Sequence, residues 1–179
     1  MKLDMLPILN GSKTKLAFSY ELRTEENEVF ADDGFVFHDI TFTKPIAVSG
    51  EVISQAGYME LHLEAVVSYA THCARCLQPI EDELTFRVEK PIAGKTGALR
   101  LENKDTDEDD YVLIEDNALS LDEPVSEQIF AEFPMRHLCR EDCKGLCPKC
   151  GKNLNEGECG CDLHEQDPRL AALAKLLEK

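Results

Sequence analysis

Tyr58-Met-Glu-Leu-His-Leu-Glu-Ala-Val-Val-Ser-Tyr69 is the stretch from which the fold can be read. Met59, Leu61, Leu63, Ala65 and Val67 alternate with Glu60, His62, Glu64 and Ser68. A period of two puts one set on a core face and the other in water. Pro45 to Ile53 has the same β-type composition, and Gln55-Ala56-Gly57 supplies a turn between the two runs. Downstream, Leu84, Phe86 and Val88 form a returning strand, so Cys73-Ala-Arg-Cys76 falls on the turn between strands. The spacing predicts an antiparallel meander that carries two thiols at a hairpin end.

The other six of the eight cysteines lie between Cys139 and Cys161. Cys147-Pro-Lys-Cys150 is closed by Cys159-Gly-Cys161 after a loop containing Asn153, Asn155 and Gly157, residues that tolerate positive φ. Thiolates this close on tight turns can meet at one tetrahedral ion, because Zn–S bonds are only about 2.3 Å long. Cys147, Cys150, Cys159 and Cys161 are therefore expected to hold one zinc ion. Cys73, Cys76, Cys139 and Cys143 remain over, and a second zinc there would tie the sheet to the C-terminal segment. Disulfides, a redox Cys-x-x-Cys and unliganded thiols are the rival readings. His72, beside Cys73, is a spare ligand candidate, and His62 reads as a surface histidine.

The chain has 179 residues, 43% of them hydrophobic, and a formal net charge of −16. No window of about 18 apolar residues exists, and the N-terminus lacks a signal-peptide h-region, so a reducing cytoplasm and no membrane partner are expected. Such acidity disfavours broad phosphate binding, which needs Lys and Arg to displace counterions. It suits a basic protein partner, with solubility as the plain alternative. No nucleophile–base pair, Gly-rich phosphate loop or His-Glu-x-x-His occurs. All-cysteine metal sites are usually closed, so neither an enzyme nor a small-molecule substrate is expected.

The remaining segments fill in the architecture. Residues 1–12 offer a first strand or docked arm ending at Asn10-Gly11, and Lys15 to Arg23 alternates as a strand. Asp32-Asp33-Gly34 breaks the chain, and Phe35 to Phe42 resumes β-type residues. Asp105, Asp107, Glu108, Asp109 and Asp110 form a self-repelling solvated loop, followed by a short strand at Tyr111–Ile114. Asp122 is expected to cap a helix with Pro124 in its first turn. That helix has Val125, Ile129, Phe130 and Phe133 on its apolar face, and Pro134 ends it. Asp167-Pro168 opens a last helix with a stripe at Leu170, Leu173, Leu176 and Leu177, expected to dock on its own protein, with a partner as the alternative. The fold class is α+β: a mostly antiparallel β-sheet with one or two packing helices and a small C-terminal Cys-rich zinc knuckle. Residues 1–138 form the β domain and 139–179 the knuckle module.

Cys73-Ala-Arg-Cys76-Leu77, Phe133-Pro-Met-Arg-His-Leu-Cys139, Cys143-Lys-Gly-Leu-Cys147-Pro-Lys-Cys150-Gly-Lys-Asn-Leu-Asn155 and Asp167-Pro-Arg-Leu-Ala-Ala-Leu173 together resemble the bacterial YceD family. These are large ribosomal RNA subunit accumulation proteins. The resemblance runs from about Val52 to the C-terminus, and the six-cysteine tail is similar to the version in Gram-positive-type members. It implies a role in accumulation or processing of 23S ribosomal RNA, hence in large-subunit assembly, and it brings no catalytic residues. Two modes of action follow. One is an acidic factor that binds a basic ribosomal protein or an assembly intermediate. The other is a zinc-stabilised module that binds a 23S rRNA precursor through Arg75, Arg136, His137, Arg140, Lys144, Lys149 and Lys152. A redox or metal-binding protein is the third reading.

Overall fold

A computed structural model describes residues 1–24, 30, 37, 39–55, 58–94 and 111–161. Ala56 and Gly57, Asp32-Asp33-Gly34, the acidic run 105–110 and the helix expected from Asp167 lie outside the described residues. The elements are β1 (Lys2–Asp4), α1 (Leu6–Leu9), β2 (Lys15–Leu22), β3 (Thr41–Phe42), β4 (Ile46–Gln55), β5 (Tyr58–His72), β6 (Pro79–Gly94), β7 (Val112–Glu115), β8 (Ala118–Ser120) and α2 (Asp122–Glu132).

β5 is the spine. It pairs antiparallel with β4 on one side and with β6 on the other, and β2 continues outward from β4. Met59, Leu61, Leu63, Ala65, Val67 and Tyr69 are buried, as the alternation requires. The inner rows are read directly from register: Leu16, Val52 and Leu61 lie side by side, then Phe18, Gly50, Leu63 and Val88, then Tyr20, Val48, Ala65 and Phe86. Each fully buried Val or Leu here stabilises the fold by about 1.5–3 kcal/mol. Gly50 permits the sheet to close up at its centre. A Cβ there would lie 2.3 Å from the His62 carbonyl oxygen and 2.6 Å from Leu63 Cβ.

The eight-stranded sheet is mostly antiparallel, as expected, with one parallel step that makes it mixed. β7 runs parallel to β6 along Ile92–Gly94, and β8 and β1 follow antiparallel beyond it. These strands have three or four residues each, too few for a readable alternation. Residues 1–12 are a strand and a one-turn helix, with Met5 and Ile8 buried in the core.

The sheet curls around α2 as a half-barrel. Val125, Ser126 and Ile129 of α2 are buried. The same core cluster holds Leu3 from one sheet edge and Leu22 from the other. Asp122 does not cap this helix, contrary to the expectation. Leu121 occupies the cap position without a side-chain hydrogen bond, and the Asp122 carboxylate pairs with the Met1 ammonium. That pair joins the helix start to β1. Burial, and then the nearby Asp122 carboxylate, raise the pKa of the Tyr20 phenol on β2. Phe133, preceding Pro134, turns extended (ψ 128°) and ends the helix. Phe130, placed on the apolar face from its spacing, is half exposed.

Candidate metal centres

Phe133 hands the chain from the core to the cysteines. Its ring packs on Tyr69 (5.2 Å between centroids), Phe86 (6.1 Å) and His137 (5.5 Å). Tyr69 Oη and His137 Nδ1 share a hydrogen bond of 2.9 Å. Burial lowers the His137 pKa. This packing sets Leu138 and Cys139 beside the β5–β6 turn.

Two loops of the same design follow. In the first, the Cys73 N–H donates to Gln78 O (2.8 Å) and the Leu77 N–H to Cys73 O (2.9 Å). In the second, the Cys147 N–H donates to Lys152 O (2.8 Å) and the Gly151 N–H to Cys147 O (2.8 Å). The residue after the second cysteine is left-handed in both: Leu77 at φ 60° and Gly151 at φ 73°. Neither loop opens a helix, so the setting of a thioredoxin-like redox pair is missing.

The first loop is bolted to the segment after Cys139. Ala74 N–H donates to His137 O (2.9 Å) and Leu146 N–H to Arg75 O (3.0 Å). The Arg75 guanidinium donates to Cys143 O (2.8 Å) and Glu141 O (3.4 Å). Gly145, at φ 75°, lets the chains touch: a Cβ there would be 3.0 Å from Arg75 O.

These contacts gather Cys73, Cys76, Cys139 and Cys143 in one place, and the second loop gathers Cys147, Cys150, Cys159 and Cys161. Within each group the four sulfurs lie within 4.8 Å of one another, and each group could hold a metal ion. Cys73 Sγ is 3.8 Å from Cys143 Sγ, and Cys76 Sγ is 3.6 Å from Cys139 Sγ. Four thiolates tetrahedral about an ion at about 2.3 Å would be about 3.8 Å apart, whereas a disulfide needs about 2.05 Å. All eight thiols are free. His72 is exposed and belongs to neither group.

The thiols within a group differ in acidity. Burial pushes Cys73 up, but the N–H groups of Cys139, Arg75 and Cys76 outweigh it and bring it down to about 6. The Asn155 amide and the Gly145 N–H lower Cys143 against burial. Cys76 is raised despite the Gln78 N–H, by burial and by the Cys73 thiol. Cys139 is pushed up to about 12, by loss of water and by Cys76. In the second group the N–H groups of Cys150 and Lys149 bring Cys147 down to about 6, while the thiols of Cys150 and Cys159 push Cys161 up to about 12. Some sulfurs ionise readily and others resist a further charge among them, which a divalent cation at the centre would relieve.

Of the basic residues considered for RNA, Arg75 is committed to carbonyls as above. Arg140 Nε lies 3.5 Å from Asp142 Oδ1, and Lys152 Nζ donates to Glu158 O (3.0 Å). Arg136, Lys144 and Lys149 are exposed. Asn155, read from the sequence only as a turn residue, donates its amide to Cys143 Sγ at 3.3 Å.

The family described as large ribosomal RNA subunit accumulation protein YceD matches residues 59–177. The chain belongs to the YceD family. That match takes in both cysteine groups and the strands that carry them. An uncharacterized protein of Mycobacterium tuberculosis (strain H37Rv) is 32% identical over 159 residues, covering 80% of this chain and 74% of that one. The uncharacterized YlbN of Bacillus subtilis (strain 168) is 26% identical over 166 residues, covering 92% and 91%. A chloroplastic large ribosomal RNA subunit accumulation protein YCED homolog of Arabidopsis thaliana is 31% identical over 61 residues, 34% of this chain and 19% of that one. No solved structure matches the chain. Among the described residues, no helix is long and apolar enough to cross a membrane.

Proposed function

We propose that this YceD-family chain is a non-enzymatic cytoplasmic factor that supports 23S rRNA accumulation and large-subunit assembly by binding a basic ribosomal protein or an assembly intermediate. The observation that carries the choice of partner is the commitment of Arg75 and Lys152 to carbonyl acceptors of their own chain, in a molecule of net charge −16. A phosphate-binding patch needs such cations free. An acidic surface attracts a basic protein and speeds the encounter.

Each cysteine group holds one structural zinc ion in this reading, with Cys73, Cys76, Cys139 and Cys143 at one and Cys147, Cys150, Cys159 and Cys161 at the other. Zinc supplies a cross-link in place of hydrophobic contacts. The first ion ties residues 139–161 to the β domain of residues 1–138, and the second closes the module on itself.

The deciding experiment is the ratio of 23S to 16S rRNA in cells depleted of the protein. A selective fall in 23S, reversed by the wild-type chain, is expected; an unchanged ratio removes the reading. Binding of purified basic large-subunit ribosomal proteins at low salt, lost as salt rises, checks the partner. Crosslinking to rRNA that disappears on charge reversal of Lys149 and Lys144 would instead favour the RNA-binding alternative.

A further inference from the structure

We propose that Asn155 couples the two metal centres, so that filling the second stabilises the first. The inference rests on the zinc reading above and deepens it. Asn155 belongs to the loop between Cys150 and Cys159, the loop that the second group closes. Its side chain leaves that loop and reaches the first group.

The amide makes three directed contacts. Nδ2 donates to Cys143 Sγ at 3.3 Å and to Asn153 Oδ1 at 2.8 Å, and Oδ1 accepts the Lys144 N–H at 2.9 Å. Asn153 Oδ1 also receives the Asn155 N–H at 3.0 Å, which fixes the backbone below the amide. The surrounding chain is stitched to the same place. Leu154 N–H donates to Gly145 O (2.9 Å), and Leu146 and Asn153 form a β-bridge. Asn155 thus sits on a scaffold held by Cys147–Cys150 at one end and Cys159–Cys161 at the other.

An N–H donor on a ligating sulfur spreads the thiolate's charge and holds it in position, so outer partners of this kind matter to metal retention. Asn155 is therefore a positioning residue for Cys143. An ion in the second centre anchors the loop ends, the anchored loop aims the amide, and the amide holds a ligand of the first. The first centre has no reciprocal side-chain donor of this kind into the second among the contacts described.

The test uses the zinc-loaded full chain and follows alkylation of Cys143 by mass spectrometry, a readout specific to the first centre. The zinc content of the wild type is measured first: two ions per chain are expected, and none would overturn the metal reading and this inference together. With metal present, Asn155→Ala should speed Cys143 alkylation by about 10-fold or more, the usual size of an outer-partner effect. Cys159→Ser with Cys161→Ser should speed it similarly, and combining all three changes should add nothing further. Asn155→Asp keeps an acceptor for the Lys144 N–H but removes the donor to sulfur, and it should match Asn155→Ala. Unchanged protection in Asn155→Ala and Asn155→Asp overturns the coupling while leaving the zinc reading intact. Effects that multiply in the combined variant overturn it as well, because the second centre would then act by another route.

Discussion

Cys73–Gln78 and Cys147–Lys152 fold into the same loop, with the same pair of backbone hydrogen bonds and the same left-handed fifth residue. Their surroundings differ. The first loop is the end of a hairpin between a 15-residue and a 16-residue strand, so its geometry is set by a sheet that exists without it. The second lies in a segment where a single bridge, Leu146 to Asn153, is the regular pairing. Three thiols of the first group, Cys73, Cys76 and Cys143, are buried with Leu138, Leu146 and Ile80 packed around them, whereas only Cys147 of the second group is buried. A rigid support lets a loop tolerate an unfavourable residue: Leu77 is left-handed and 63% exposed where the other loop has Gly151. A loop with little support needs the permissive residue, and in the proposed reading it needs its ion more.

The sharpest test of this contrast is removal of each centre. Cys73→Ser with Cys76→Ser should free residues 139–161 from the sheet. Limited proteolysis is then expected to cut between Phe133 and Cys143 at a rate at least tenfold above wild type, while Cys159→Ser with Cys161→Ser, which loosens the Cys143 ligand but leaves the Arg75 bonds to Cys143 and Glu141, raises the rate far less. Structural zinc contributes on the order of 10 kcal/mol in small folds, so equal sensitivity of the two variants would mean that the centres do not divide the work. Chelation should follow the same order, with module signals in an NMR spectrum collapsing before those of β4 and β5.

Gly145→Ala should have the next largest effect. It places a Cβ 3.0 Å from Arg75 O at φ 75°, and left-handed strain alone costs about 1–3 kcal/mol. Urea unfolding should report a loss of about 2 kcal/mol or more; a neutral result would show that the module does not press on the first loop. Arg75→Ala removes the donor to Cys143 O and Glu141 O and should cost about 1–2 kcal/mol, less than a fully buried charged bond because the side chain is largely exposed.

The smallest effect distinguishes the loops themselves. Gly151→Leu should cost about 1–2 kcal/mol, the left-handed penalty for a side chain. Leu77→Gly should be within about 1 kcal/mol of neutral, because relief of that strain offsets the greater chain entropy of glycine. Matching losses at both positions would break the proposed difference in support.

Much of the central sheet could be read from residues. β2, β4, β5 and β6 alternate because one face is buried, and a period of two leaves a direct trace in the chain. The short strands β1 and β7 could be read as β-type runs, but strands of three or four residues do not state their partners, so the parallel step from β6 to β7 and the mixed sheet came from tertiary structure alone. Asp122 looked like a helix cap because the residue type is right for one; only the fold brings the Met1 ammonium within its reach. Phe130 fits the helical period, yet it lies half exposed with its ring against Phe37, while Phe133 is buried.

The cysteines divide in the same way. The nearness of Cys147, Cys150, Cys159 and Cys161 is a local matter, set by two short spacings and one loop, and short spacings are properties of sequence. The nearness of Cys73 to Cys143 and of Cys76 to Cys139 spans 70 and 63 residues. The sequence left that grouping open, because nothing in four left-over thiols states where the chain will turn back. It is the β5–β6 hairpin, the Phe133 ring against Tyr69, and the Arg75 bonds to Cys143 and Glu141 that bring them together. Composition fixed the acidity and spacing fixed the local loops, since both act at short range. Long-range juxtaposition, including the reach of Asn155 to Cys143, was decided by packing.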